Sequence, residues 1–430
     1  MATCRHHVLA ASTALTGLVL SAATQASGFR IPELSATGLG MANAVVANAE
    51  EPGALIYNPA AMAFHEGMVF NGGLAGLKLN VHVDPENGEA TDSTGKDSFV
   101  VPNLYFMQQI SDQWSWGFGL SAPFGLETKW PAGTFQTFAD VAALTTPLIA
   151  ALEPEASKIE MVNLNPNVAY RLGPNTSVSA GVMYYMLREL VFNTQGISID
   201  GDGNDFGWNL GIQHVAGPWS FGASYRSRVK VEAKGSVDAS SVLPPGAVTS
   251  SDATAEVEFP DMLQLGARYA FNEAWAVEFD YEWTGWSAFD VVEITHSTDL
   301  PGDCLCSTNN WENSSAYRLA ASYNLNDATQ LRFGYSWDET PQPDKYFSAR
   351  VPDADRQLLS IGIGYDFGTW ELDAGYMYVL FDNRTVDRPA SSYLTQIATG
   401  GGTDPNGTDA YNGEYESSVH LLALSASVKF

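Results

Sequence analysis

Residues Trp275 to Trp283 read WAVEFDYEW, and this stretch decides the fold. Its odd positions are Trp275, Val277, Phe279, Tyr281 and Trp283. Its even positions are Ala276, Glu278, Asp280 and Glu282. Successive side chains of a strand point to opposite faces, so each set occupies one face. The aromatic and aliphatic face is too large and continuous to meet water, and the acid-bearing face cannot meet hydrocarbon. The stretch therefore predicts a strand with lipid outside and a polar lumen inside.

The pattern recurs along the chain. After Trp370, one face reads Trp370, Leu372, Ala374, Tyr376, Tyr378 and the other Glu371, Asp373, Gly375. After Trp114, one face reads Trp114, Trp116, Phe118, Leu120, Phe124. Short turn signals precede many such runs (Ser111-Asp112, Gly217-Pro218, Asn272-Glu273, Gly368-Thr369), with Trp114, Trp219, Trp275 or Trp370 just beyond. Tryptophans beside the short turns of one rim form an aromatic girdle. A soluble sandwich also alternates, but it does not need a Trp beside every second turn. Strand-like runs begin near Met68, Ser98, Trp114, Lys158, Thr176, Phe206, Trp219, Ala253, Trp275, Ser315, Thr329, Arg356, Trp370 and Glu416. The expectation is an all-β chain, a 14-stranded antiparallel transmembrane barrel. The closing run Val419–Phe430 alternates and ends on an aromatic, as in chains handed to the outer-membrane assembly machinery. Composition agrees: 45% of residues are hydrophobic and 16% are charged, against about a quarter charged in soluble domains. No run of ~20 apolar residues follows Ser27 to supply a spanning helix.

Residues 1–26 read as a secretory signal peptide: Arg5, an apolar Val8–Val19 core, and small residues at a cut before Ser27. The barrel is expected over 67–430, and 27–66 as a hatch plugging it. The core of that hatch, GFRIPELSATGLGMANAVVANAEEPGALIYNPAA over 28–61, has no strand alternation and no helical stripe. Its Gly and Ala content suits a compact plug. Phe135–Leu152, FQTFADVAALTTPLIAAL, predicts an apolar helix pair broken by Pro147 on the outer rim.

Net charge is −28, which excludes nucleic acid as a partner, since phosphate binding needs a basic face. Acids gather in expected loops at Asp84–Glu89, Asp200–Asp205 and the 400s. Asp200–Asp205 hints at a calcium loop, but Asp205 stands where the required Gly belongs. Cys304 and Cys306 form a lone C-x-C with no further ligands, so no metal site and no cofactor is expected. No nucleophile elbow, HExxH or P-loop appears, and the chain is expected not to be an enzyme.

A series of motifs in fixed order carries a family resemblance. They are Gly28-Phe29, Gly38-Leu39-Gly40, Asn58-Pro59-Ala60, Pro123-Phe124-Gly125-Leu126, Tyr225-Arg226-Ser227, Phe259-Pro260-Asp261-Met262, Trp286-Ser287, Ala316-Tyr317-Arg318, and the run DETPQPDKYFSARVPDAD over Asp338–Asp355. The mature chain resembles the FadL family of outer-membrane transporters for long-chain fatty acids and other hydrophobic compounds. The resemblance implies a monomer embedded among outer-membrane lipid and lipopolysaccharide. A ligand would pass from an outer groove to a pocket against the hatch, then out laterally through a kink in the third strand. It places Phe29, Asn58, Pro59 and Ala60 at the pocket and hatch, and Pro123, Phe124 and Gly125 at the lateral gate. Pro123 removes a ladder donor and Gly125 permits unusual backbone angles.

Parity makes Arg226, Arg228, Lys230, Arg318 and Arg332 lumen-facing. Arg226, Arg318 and Arg332 are candidate ligand-binding bases, with ion pairing to Glu278, Asp280, Glu282, Glu371 and Asp373 as the competing role. The base expected for a fatty-acid carboxylate aligns with Phe192-Asn193, which is not basic. Neutral aromatic hydrocarbons therefore stay open as substrates. A general diffusion porin, a barrel enzyme and a receptor barrel are the rival functions.

Overall fold

A computed structural model describes residues 28–241, 243, 249–296, 305–390, 394 and 408–430. The signal peptide expected over 1–26 and Cys304 lie outside these residues. The barrel strands are β1 (Met68–Pro85), β2 (Ser98–Gln109), β3 (Trp114–Ser121 and Gly125–Lys129), β4 (Pro154–Gly173), β5 (Thr176–Thr194), β6 (Ser198–Ala216) and β7 (Trp219–Arg226 and Val229–Asp238). They continue with β8 (Ser250–Phe259 and Met262–Ala270), β9 (Trp275–Thr284 and Val291–His296), β10 (Ser314–Asn326), β11 (Thr329–Asp338), β12 (Arg356–Asp366), β13 (Trp370–Phe381) and β14 (Gly413–Lys429). Each pairs antiparallel with its sequence neighbour. The ladder closes where β1 meets β14, from Val69–Lys429 to Pro85–Gly413. This is the expected 14-stranded barrel. Closure leaves the sheet no free edge strand, as hydrocarbon requires.

Alternation sets the two faces. Leu74, Leu265, Phe279, Leu319, Ile361, Leu422 and Leu424 are exposed on the outer wall. Glu278, Asp280 and Glu282 are buried on the inner one. Trp114, Trp219, Trp275 and Trp370 pack on Tyr170, Tyr269, Tyr323 and Phe367 beside the short turns.

Two parity expectations fail for one reason. Both β3 and β7 are broken mid-strand, and a break resets which residues face inward. Phe124, expected on the lipid face with Trp114, is fully buried in the lumen. Arg228 and Lys230, expected inside, stand on the outer wall in pairs with Asp261 and with Glu256 and Glu258. Asp200–Asp205, expected as a loop, continues β6 above the membrane. There the half-buried positions are Gly201 and Gly203, so the alternation carries no apolar side chains to reveal it.

The hatch fills the lumen. It carries α1 (Ala36–Gly40), capped by the Ser35 side chain, and a 3-10 helix Pro59–Phe64, capped by Asn58. Its residues from Gly28 to Ala49 are all buried. Inner-wall glycines admit it. At Gly222 an added Cβ would lie 2.1 Å from the Val46 carbonyl oxygen, and at Gly334 2.3 Å from the Met41 carbonyl carbon. Above the barrel, α2 (Gln136–Leu144) and the 3-10 helix Pro147–Leu152 flank Pro147.

Candidate functional site: the hatch tip and the broken third strand

Pro123 interrupts β3. Ser121 pairs with Asn163, and Gly125 resumes the ladder against Glu160. The residues between join the hatch instead. Arg30 and Phe124 form an isolated antiparallel bridge: the Ile31 amide donates to the Pro123 carbonyl at 2.9 Å, and the Gly125 amide to the Phe29 carbonyl at 2.9 Å. Gly125 adopts no positive φ. The proline and the substituted hydrogen bonds carry the break, rather than an unusual glycine conformation.

The break opens the wall on its other side. β2 pairs with β3 only from Leu104–Leu120 to Gln109–Ser115. Among the described residues no ladder pair joins Ser98–Asn103 to Gly125–Lys129. Above this gap the Thr94 amide donates to the Lys129 carbonyl at 2.8 Å and the Lys96 amide to Glu127 at 3.0 Å. Between Leu104–Leu120 below and Thr94–Lys129 above, β2 and β3 are therefore not joined by ladder hydrogen bonds.

Phe29 sits inside this region, in a cage of rings. Its centroid lies 4.8 Å from Trp286, 5.1 Å from Phe289, 5.7 Å from Trp311, 6.0 Å from Phe124 and 6.1 Å from Phe259. Such edge and tilted contacts suit the ring quadrupoles, and burying a Phe contributes roughly 1.5–3 kcal/mol. Beside it lies an apolar cavity of about 40 Å³, lined by Phe29, Ile159, Leu190, Phe192, Val257, Val292 and Val351 among others.

Arg350 and Lys158 also line that cavity. Arg350 stacks on Phe192 at 3.8 Å. It donates to the Ala156 and Asn193 carbonyls (3.3 and 2.9 Å) and to the Ser157 hydroxyl at 3.0 Å. No carboxylate pairs with it among the described residues, and burial pulls its guanidinium down to about 10. Phe192-Asn193, expected to lack a base, thus has a guanidinium beside it, supplied by a loop far along the chain. Arg350 falls within the run Asp338–Asp355, but nothing local marks it as a pocket residue. A second loop residue, Asp353, accepts from the Gly28 amide at 3.3 Å and from the Thr340 hydroxyl at 2.5 Å. Burial pushes its carboxyl up to about 6.

The bases named from parity lie elsewhere. Arg226 donates to the Ile56 carbonyl at 2.7 Å. Arg318 lies 3.2 Å from Glu282 and 3.6 Å from Asp338, and Arg30 also pairs with Glu282. Arg332 joins Glu51 at 2.9 Å and Asp373. None of the three lines the cavity: Arg226 and Arg332 bind the hatch to the wall, and Arg318 joins wall residues, sharing Glu282 with the hatch residue Arg30. Glu278 and Asp280 accept from the Ala47 and Val46 amides at 2.7 and 2.9 Å. Asn58, Pro59 and Ala60 belong to the same anchor: Asn58 donates to Gln213 at 2.9 Å, and the Ala60 carbonyl accepts from Ser177 at 2.6 Å.

Residues 17–430 match the family described as outer membrane protein transport protein (OMPP1/FadL/TodX). The chain is 27% identical to the long-chain fatty acid transport protein of Escherichia coli O157:H7 over 85% of this chain and 91% of that protein. It is 25% identical to outer membrane protein P1 of Haemophilus influenzae, over 85% and 88%. Among solved structures, a Pseudomonas aeruginosa FadL homologue aligns over 94% of this chain and all of that one, with a TM-score of 0.74 and 17% identity. The Pseudomonas putida toluene transporter TodX aligns over 95% and all of its chain, with a TM-score of 0.66 and 19% identity. A plugged 14-stranded barrel matched along nearly its whole length leaves one assignment: this chain belongs to the OMPP1/FadL/TodX family of outer-membrane transport proteins.

Proposed function

We propose that this protein carries long-chain fatty acids passively across the outer membrane. The ligand collects at the apolar helices over Phe135–Leu152, moves to the cavity beside Phe29, and leaves sideways between β2 and β3. The observation that carries the reading is Phe29 itself. One residue of the hatch occupies the aromatic cage, and its own backbone is hydrogen-bonded to the break in β3. In this state the cavity is too small for an acyl chain. A ligand that displaces Phe29 gains the cage, and where the Phe29 backbone shifts with its ring the Arg30–Phe124 bridge is disturbed. Pocket occupancy and the state of the wall are thereby coupled.

Arg350 supports a carboxylate-bearing ligand: it is buried beside an apolar cavity with only neutral partners. The ring-rich cage supports the second reading, a neutral aromatic hydrocarbon, for which Arg350 is idle. Both readings use one path and one barrel, and the protein works as a monomer; a stable cross-linked trimer would count against that last point.

The test is uptake by cells lacking their own transporter and expressing this chain, comparing a labelled long-chain fatty acid with a neutral alkylbenzene. Fatty-acid uptake that falls in Arg350→Met, with alkylbenzene uptake unaffected, supports the first reading. Alkylbenzene uptake alone, indifferent to Arg350, selects the second. Uptake of neither, with steady ion conductance in a planar bilayer, would return the protein to the porin reading.

A further inference from the structure

The outer wall at the barrel seam carries an arrangement that the transport path leaves unused. The outward residues of β1 run Phe70, Gly72, Leu74, Gly76, Lys78, beside Leu422 and Leu424 of β14. Gly76 leaves a shallow furrow: a Cβ there would meet only the Leu422 carbonyl oxygen, at 3.8 Å. Leu74, Leu422 and Leu424 flank the furrow and are more than half exposed to the lipid side.

At the upper end of the furrow Lys78 pairs in register with His420. From Val428, level with Trp370 in the girdle, to His420 is roughly 26 Å along the strand. At the ~40° tilt of such strands that is about 20 Å of height, near the top of an apolar band ~25 Å tall. Lys78 is exposed and has no ion pair or hydrogen bond among the described residues. Arg228, Lys230 and Lys234 on the outer wall are paired with carboxylates; Arg188 on β5 is, like Lys78, exposed and unpaired among the described residues, but no second base faces it across a furrow. The His420 ring stacks on Tyr378 at 4.6 Å, and its Nδ1 lies 2.8 Å from the Tyr376 hydroxyl. With that hydroxyl donating to Nδ1, Nε2 carries the proton and is left as a donor. Of the acids higher on this wall, Asp92 holds His82 at 2.7 Å and Glu416 accepts from Asn383 at 2.9 Å, while the exposed pair Asp84 and Glu414 lies six residues above Lys78 and His420.

We infer that Lys78 and His420 bind a phosphate of lipid A, the anionic lipid of the outer leaflet, with one of its acyl chains lying in the furrow over Gly76, which the Phe70 ring bounds below at Gly72. An ammonium and an imidazole donor at the height of the head groups complement a phosphate, and charge-assisted hydrogen bonds are the strong kind. The leucines and bare backbone below them complement a chain. The inference concerns the outside of the barrel and stands whichever ligand the inside carries.

The test is native mass spectrometry of the full chain after exchange through detergent containing equimolar lipid A and phosphatidylglycerol. Heat-modifiable migration confirms a folded barrel for each variant. The expected result is retention of lipid A over phosphatidylglycerol by the unaltered protein. Lys78→Gln should lower retained lipid A at least fivefold, His420→Phe should lower it further, and the paired-lysine control Lys230→Gln should leave it unchanged. Gly76→Leu should lower it with both bases intact, which separates chain from head group. Equal lipid A retention in Lys78→Gln and the unaltered protein would overturn the inference. So would phosphatidylglycerol retention with the same Lys78 dependence, or displacement of the lipid by inorganic phosphate alone.

Discussion

Arg350 and Asp353 lie three positions apart in one loop and govern different things. Arg350 offers a buried guanidinium to the cavity. A hydrogen bond to a charged group contributes about 1.5–3 kcal/mol, so Arg350→Met is expected to weaken fatty-acid binding by roughly ten- to a hundredfold. Isothermal titration with fatty acid and with alkylbenzene checks this, and an equal loss for both would show that Arg350 acts only in packing. Asp353 holds the hatch tip. Its carboxyl is raised to about 6 because it is buried, so the folded state keeps a proton that the unfolded chain releases near 3.8. The arrangement that buries Asp353 is therefore most stable below pH 4 and loses up to about 3 kcal/mol as pH rises through 6, burial outweighing the preference of the Gly28 amide for the ionised carboxylate. Thr340, Arg356 and Arg384 surround the group and limit the penalty without abolishing it. Hydrogen exchange, corrected for intrinsic rates, should show the Phe29–Ile31 amides better protected at pH 5 than at pH 7.5. Asp353→Asn should flatten that difference; an unchanged pH dependence would exclude Asp353 as its source.

At the scale of elements, the broken β3 is the part to perturb. Gly125 is buried and its amide is bound to Phe29. Gly125→Val is expected to reduce uptake of either ligand at least tenfold while the barrel still migrates as folded; unchanged uptake would remove the lateral route. The strands were legible because each is wetted on one face and greased on the other: WAVEFDYEW at Trp275–Trp283 cannot be placed otherwise. Pro123 announced the break in β3. What parity could not follow was the consequence of a break, which turned Phe124 inward and Arg228 and Lys230 outward. Nor could it follow β6 above the membrane, where Asp200–Asp205 form a strand with no greasy face. The cavity was less legible than the wall. Phe29 was marked by its place in the hatch, but Arg350 reaches Phe192 only through the fold, and no local pattern joins residues that far apart in the chain.

At the scale of the molecule, hatch and barrel fit with little clearance. Gly334→Val places two methyl groups where the Met41 backbone already lies. It is expected to displace the hatch and raise single-channel conductance in planar bilayers from near closed to porin-like; a closed channel would mean that the hatch shifts as a body. Removing the 28–61 segment should open the lumen fully and favour cations, because Glu273, Asp327, Asp366 and Glu371 of the wall line the recess at the short-turn end. The same fit constrains the order of biogenesis. Gly222, Gly334, Gly362 and Gly375, on strands from the middle of the chain to near its end, each press on hatch backbone, yet the hatch precedes the first strand. A finished cylinder would have to take such a plug lengthwise, past its buried arginines. The N-terminal segment is therefore expected to lie in the cradle already when β14 zips onto β1, as the mandrel about which the sheet is rolled.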